Sequence, residues 1–155
     1  MIPYAILDLG RNKANIKNVP FSDNPAKMLE AMQNLNGHAV IRVLENDNFL
    51  FICLTRKGLS GDVINCLYNK RTKDLKLLKD EGLLNDVDGG IPFFPRKHIK
   101  ENELIAWKNA DEFKEEILSL DYDTQKAKYG ERFEKVYQLA KSLKEDDNPV
   151  LIIAK

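Results

Sequence analysis

Cysteine, histidine and tryptophan are scarce in this chain: two, two and one among 155 residues. Two cysteines cannot build a disulfide scaffold, and the interval from Cys53 to Cys66 fits no zinc site. His38 and His98 stand without a nearby Cys or His, so structural or surface roles are expected of both. Neither sign of charge predominates. Lys and Arg number 24 and Asp and Glu number 24, which leaves no net field to draw in nucleic acid or an anionic membrane. No apolar run reaches the roughly 20 residues that a membrane-spanning helix requires. Met1 to Leu7 lacks a basic start and is ended by Asp8, so it does not read as a signal peptide. There is no Ser–His–acid set, no phosphate-cradling glycine loop, no Trp-rich groove and no low-complexity segment. These absences leave no catalytic residues, metal ligands or cofactor to predict.

What is present is organised around 39–78. Four apolar runs, Ala39–Leu44, Phe49–Thr55, Val63–Asn69 and Asp74–Leu78, are separated by turn-forming clusters. β-branched and aromatic runs bounded by Asn, Asp, Gly and charged residues predict strands joined by tight turns, here an antiparallel four-stranded meander. A four-residue loop at 45–48 sets Leu44 opposite Phe49 and Arg42 opposite Phe51. A turn centred between Leu59 and Ser60 sets Cys53 opposite Cys66, as two thiols packed across adjacent strands rather than a bridge. The loop at 70–73 sets Tyr68 opposite Leu75 and Cys66 opposite Leu77. With period-two alternation, both faces of the first two strands become apolar, as in a sheet covered on each side. Arg42 falls on the aromatic face and is expected to stack on a ring.

Around the meander, Pro3–Leu9 reads as a strand. Asn24-Pro25 starts a helix with Met28, Met32 and Leu35 on one stripe, which is expected to pack on the sheet. The segment 91–95 is apolar but bracketed by prolines, so it fits an edge strand or a packed loop. A hairpin is predicted through Ile99 and 103–107, turning near 100–102. A helix from about Asn109 buries Phe113, Ile117 and Leu120, and a second runs from about Thr124 to Leu143. Val150–Ala154 is a final strand returning to a sheet laid down earlier. The fold class predicted is mainly β with accessory helices (α+β), in one domain over 1–155 or at most two small lobes.

Four residues stand out as candidate ligand-binding positions: Asp86, Asp88, Arg96 and Trp107. Asp86 and Asp88 beside Gly89-Gly90 suggest calcium, but an EF-hand loop needs a further ligand at 90 and a later bidentate Glu, and both are missing. A turn capped by its own side chains is the simpler reading. Arg96, Lys97, His98 and Lys100 beside Phe93 and Phe94 resemble a small nucleic-acid patch, yet the neutral balance and the acidic stretches 111–116 and 145–147 favour a solvated hairpin. Trp107 sits at a strand end, where partial burial is usual.

The motifs Tyr4 to Gly10, Leu44 to Phe51, Leu67 to Lys70, Asn85 to Gly90, Phe93-Phe94-Pro95 and Asp147 to Leu151, in that order, resemble the C-terminal part of the six-bladed β-propeller proteins of anaerobic gut bacteria. The resemblance implies that 39–78 is one blade, that Pro3–Leu9 is the outer strand of the blade before it, and that 91–107 with 150–154 belong to the last. It also implies an exported protein, in the periplasm or at the cell surface, although this chain shows neither six blades nor an export signal. The function expected is a binding or interaction module for a protein or glycan. The alternative is a relative of metal-dependent propeller hydrolases or lactonases, whose chemistry needs acidic ligands from several blades. A lone blade with two apolar faces also predicts self-association through sheet edges or faces.

Overall fold

The computed structural model describes residues 7–15, 23–57, 62–78, 82–97 and 103–154, with the backbone of 98–100. The chain is mixed α+β and forms two units, 1–77 and 78–155. Helices and strands contribute about equally among the described residues, so the expectation of a mainly β chain gives way to a balanced one.

In the first unit, α1 (Pro25–Gln33) precedes a four-stranded antiparallel sheet of β1 (Ala39–Glu45), β2 (Phe49–Thr55), β3 (Val63–Asn69) and β4 (Leu75–Leu77), paired in sequential order. The meander is therefore as expected, but two of its three registers are not. Asn46 N–H donates to the Phe49 carbonyl, and the Asn46 side chain accepts from the N–H groups of Asn48 and Phe49. The side chain thus tightens the loop to two residues and places Leu44 opposite Phe51 and Arg42 opposite Cys53. A bulge at Ile41 then moves Val40 to the other face, opposite Leu54. Between β2 and β3 the register is displaced by one residue. Arg56 N–H donates to the Asp62 carbonyl, so the connection has an odd number of residues and Cys66 pairs with Ile52. A one-residue slip exchanges the faces of a whole strand. Cys53 and Cys66 accordingly lie on opposite faces, both buried and neither in a disulfide, and the facing pair of thiols does not form. Burial pushes the Cys66 thiol pKa up, with neighbouring Cys53 adding to the shift.

The new register gathers Leu50, Ile52, Leu54 and Cys66 into one core, with Leu9, Ile64 and Tyr68 against it. Both faces of β2 are buried, since Phe51 and Cys53 on the opposite side are 3% and 2% exposed. β1 is different: Val40, Ile41 and Val43 are exposed. The third register is the expected one, because Asn69 caps the turn by accepting from Arg71 and Thr72 N–H while Lys73 takes a positive φ.

Three other expectations change. The strand at Pro3–Leu9 falls partly outside the described residues, and Leu7–Leu9 is not strand but leads into a 3₁₀ turn at Gly10–Asn12. Asn24 caps α1 as predicted, yet the helix ends at Gln33 and buries none of its residues, so it does not seal the sheet. Arg42 shares a face with Phe51, but among the described residues its Nε is buried without a hydrogen-bond partner and its guanidinium stacks on no ring.

The second unit holds a three-stranded antiparallel sheet, β5 (Lys97–Lys100), β6 (Glu103–Lys108) and β7 (Val150–Ala154), with β6 central. The turn predicted near 100–102 lies mostly outside the described residues. Segment 91–95 is the packed loop of the two alternatives, with Ile91, Phe93, Phe94 and Pro95 buried and Phe93 bridged to Leu83. α2 (Ala110–Ser119) buries Phe113 and Ile117 as expected. The predicted long helix is two, α3 (Tyr122–Tyr129) and α4 (Glu131–Ser142), divided at Gly130, whose φ of 61° and ψ of −132° no helix accommodates. Asp121 caps α3 by accepting from Thr124 N–H at 2.7 Å. Ile91, Phe113, Ile117 and Ala140 form the core, with Val150 and Ile152 of β7 packed against it.

One polar cluster ties α3 to α4. Tyr122 Oη and Lys126 Nζ both donate to Glu134 Oε2, and Gln138 Nε2 donates to Glu134 Oε1 at 2.8 Å. Lys126 foremost, with Tyr122 and Gln138, holds the Glu134 carboxyl at about 2, against 4.5 for an unperturbed group. A folded-state pKa below the unfolded one stabilises the fold above about 4.5 and loses that stabilisation as pH falls toward 2. The thermal midpoint of the native protein is expected to drop across that window. In Glu134→Gln the drop is expected to shrink; an unchanged pH profile would show that the cluster contributes nothing to stability.

Candidate functional site

The four candidate ligand-binding residues all belong to the second unit, and they divide into two places. Asp86 and Asp88 lie in the turn 85–90, which is satisfied from within. Asn85 Oδ1 accepts from Val87 and Asp88 N–H, Asn85 Nδ2 donates to Asp88 Oδ1 at 2.7 Å, and Gly90 N–H donates to the same oxygen at 2.9 Å. One Asp88 oxygen therefore already serves the turn, as the capped-turn reading expects. Helices hold this turn in place: Arg132 Nη1 donates to the Val87 carbonyl at 3.3 Å, and Gly89 lies so close to the Tyr129 ring that an added Cβ would come within 2.3 Å of it. Asp86 is exposed and near Lys128, whose ammonium pKa is raised first by the Tyr129 hydroxyl and also by Asp86. Among the described residues no group of three or more His, Cys, Asp or Glu side chains is placed to hold a metal.

The turn leads into a cleft of about 320 Å³ lined by Gly90, Ile91, Pro92, Lys108, Glu116, Ser119 and Leu120. Ile91, Pro92 and Leu120 supply its apolar lining, and its two charged residues are paired, Lys108 Nζ with Glu116 Oε1. The volume is at the lower end of small-molecule sites. A ligand here has to compete with that ion pair.

Arg96 and Trp107 are brought together on the other face of the sheet. Alternation along β6 sends Leu104 and Ala106 inward, both 6% exposed, and leaves Ile105 and Trp107 on the outer face. The backbone N–H of Arg96 donates to the Ile105 carbonyl at 2.7 Å, which carries the side chain back over β6. The Arg96 guanidinium carbon lies 5.2 Å from the centre of the Trp107 ring. That distance is within the range of a cation–π contact. Register places Leu151 beside Trp107 and Ile153 beside Ile105. Trp107, Leu151 and Ile153 are 37%, 60% and 51% exposed. Trp107, Leu151 and Ile153 thus form an apolar patch on the outer face, with an arginine lying over its one indole and with Lys97 and Glu103 on the same face.

Leu151 and Ile153 are members of this patch that the sequence reading did not single out. The signal is present in Val150–Ala154, whose sequence predicts a returning strand. Only its neighbour, β6, and the register between them identify which of its side chains face outward. The lysine–glutamate pair of the cleft gave no signal, since its partners come from β6 and α2 and meet only by packing. His38 is structural, its Nδ1 lying 3.2 Å from the Thr55 carbonyl. The His98 side chain lies outside the described residues. Comparison with known protein families, with curated proteins and with solved structures returns no match for this chain.

Proposed function

We propose that this chain is a propeller-like binding and interaction module that recognises a protein or a glycan through the outer face of β5–β6–β7. The observation that carries the reading is the exposed indole of Trp107 beneath Arg96, flanked by Leu151 and Ile153. Tryptophan and arginine are the side chains most enriched among residues that dominate binding energy. An indole face also stacks on the apolar face of a sugar ring, and a guanidinium beside it donates to hydroxyl or carboxylate oxygens. The propeller-like part of the reading is supported by the sequential antiparallel order of β1 to β4 and by the burial of β2 on both faces, as in a blade between neighbours. Association with further copies through sheet edges belongs to the same reading.

Trp107 is the single tryptophan, so its fluorescence reports directly on this face. Titration with a panel of soluble oligosaccharides and of extended peptides is expected to give a saturable change for one of the two classes. Arg96→Ala and Trp107→Ala, the latter followed by calorimetry, are expected to weaken that binding about thirtyfold, the loss typical of a residue worth ~2 kcal/mol. A ligand that binds both variants as tightly as the native chain would place recognition elsewhere.

A further inference from the structure

Four strands form the edges of the two sheets: β1, β4, β5 and β7. Exposed edges pair with other chains unless they are bulged, very short or charged. β1 carries a bulge at Ile41 followed by Arg42. β4 has three residues, with Lys76 at its centre. β5 begins at Lys97 and is bulged between His98 and Lys100. β7 has no such device. Its sequence, Val-Leu-Ile-Ile-Ala, is uncharged and free of proline, and all five residues keep an unbroken register with β6. Its outer edge pairs with no strand among the described residues.

We propose that the outer edge of β7 pairs antiparallel with β7 of a second copy of this chain about a two-fold axis. The proposal rests on the interaction-module reading and names the edge that serves self-association. The strand is complementary to itself. Centred on Ile152, the pairing sets Val150 against the partner's Ala154, Leu151 against the partner's Ile153 and Ile152 against the partner's Ile152, with an apolar pair at every position. A two-fold contact of this kind closes on itself, which yields a dimer and not a fibre. Two three-stranded sheets become one of six strands, within the usual range. The outer faces then join, so that Leu151 and Ile153 of each copy lie side by side and the Trp107 patches share one surface. A formal net charge of zero removes long-range repulsion between the copies.

Size exclusion with light scattering across the micromolar range is expected to show a particle of twice 17.8 kDa. The double variant Leu151→Lys/Ile153→Lys changes two half-exposed residues and sets ammonium groups directly opposite one another across the axis. It is expected to elute at 17.8 kDa with unchanged far-ultraviolet circular dichroism. Hydrogen exchange of the native chain supplies a test that needs no variant: protection of the 150–154 amides should rise with protein concentration. Concentration-independent exchange there, or a monomer throughout, overturns the proposal. So does a dimer that survives the double substitution but is lost in Val43→Lys or Leu77→Lys, which would move the contact to β1 or β4. The fluorescence titration of the native chain tests ligand binding by Arg96 and Trp107 separately, so a native chain that is monomeric yet binds ligand overturns the dimer and leaves that reading standing.

Discussion

Replacing Phe133 by alanine is expected to remove about 3–5 kcal/mol from the stability of the second unit, the usual cost of deleting a fully buried phenylalanine ring. Phe133 is 0% exposed on α4, with its ring centre 6.1 Å from that of Tyr122 and 5.9 Å from that of Tyr137. The loss has two parts, the apolar surface returned to water and the cavity left between α3 and α4. The second part is large here, because Tyr122 is held by its hydrogen bond to Glu134 and cannot swing inward to fill the space without breaking it. Domains of this size have total stabilities of about 5–15 kcal/mol, so the variant is expected to sit near its unfolding midpoint in mild denaturant. Urea titration gives the magnitude, and loss of amide protection in 122–142 locates it. Phe133→Leu keeps most of the volume and should cost much less. A Phe133→Ala variant within 1 kcal/mol of the native chain would contradict the packing of α4 described above.

The second large effect is expected at Gly37. Its φ is +100°, a conformation that side-chain-bearing residues rarely adopt. A Cβ there would come within 2.7 Å of the Asn12 carbonyl oxygen and 2.9 Å of the Ala14 nitrogen. Both are backbone atoms, and neither can turn aside as the end of a long side chain can. This is the point where 12–14 runs beside the start of the sheet: Lys13 bridges to His38, and Gly37 itself bridges to Lys57. Gly37→Ala should therefore cost about 1–3 kcal/mol in backbone strain and a further 1–3 kcal/mol in displaced packing. Gly130→Ala is the control. It also has a positive φ, of 61°, but open space where the Cβ would go, so only the strain contribution applies. Equal destabilisation of the two variants would remove the close approach of 12–14 from the account.

The strands of the meander, their sequential order and the β3–β4 register were determined by local sequence, since alternating apolar residues and the Asn69 cap act within a few positions. The start of α1 at Asn24-Pro25, the pair buried by α2 and the return of Val150–Ala154 to a sheet were legible for the same reason. Two registers were not. A single residue in the connection after Thr55 exchanges the faces of β3, and that residue is chosen by which arrangement buries Leu50, Ile52, Leu54 and Cys66 together. The break at Gly130 was masked by a helical stripe that continues through it, because periodicity records which side chains are apolar and not the backbone angles between them. At the candidate site, Arg96 and Trp107 could each be named from sequence, whereas their stacking and the addition of Leu151 and Ile153 needed the pairing of β5, β6 and β7. Non-local pairing places side chains from positions 96, 107 and 151 on one face, and no spacing along the chain encodes that coincidence.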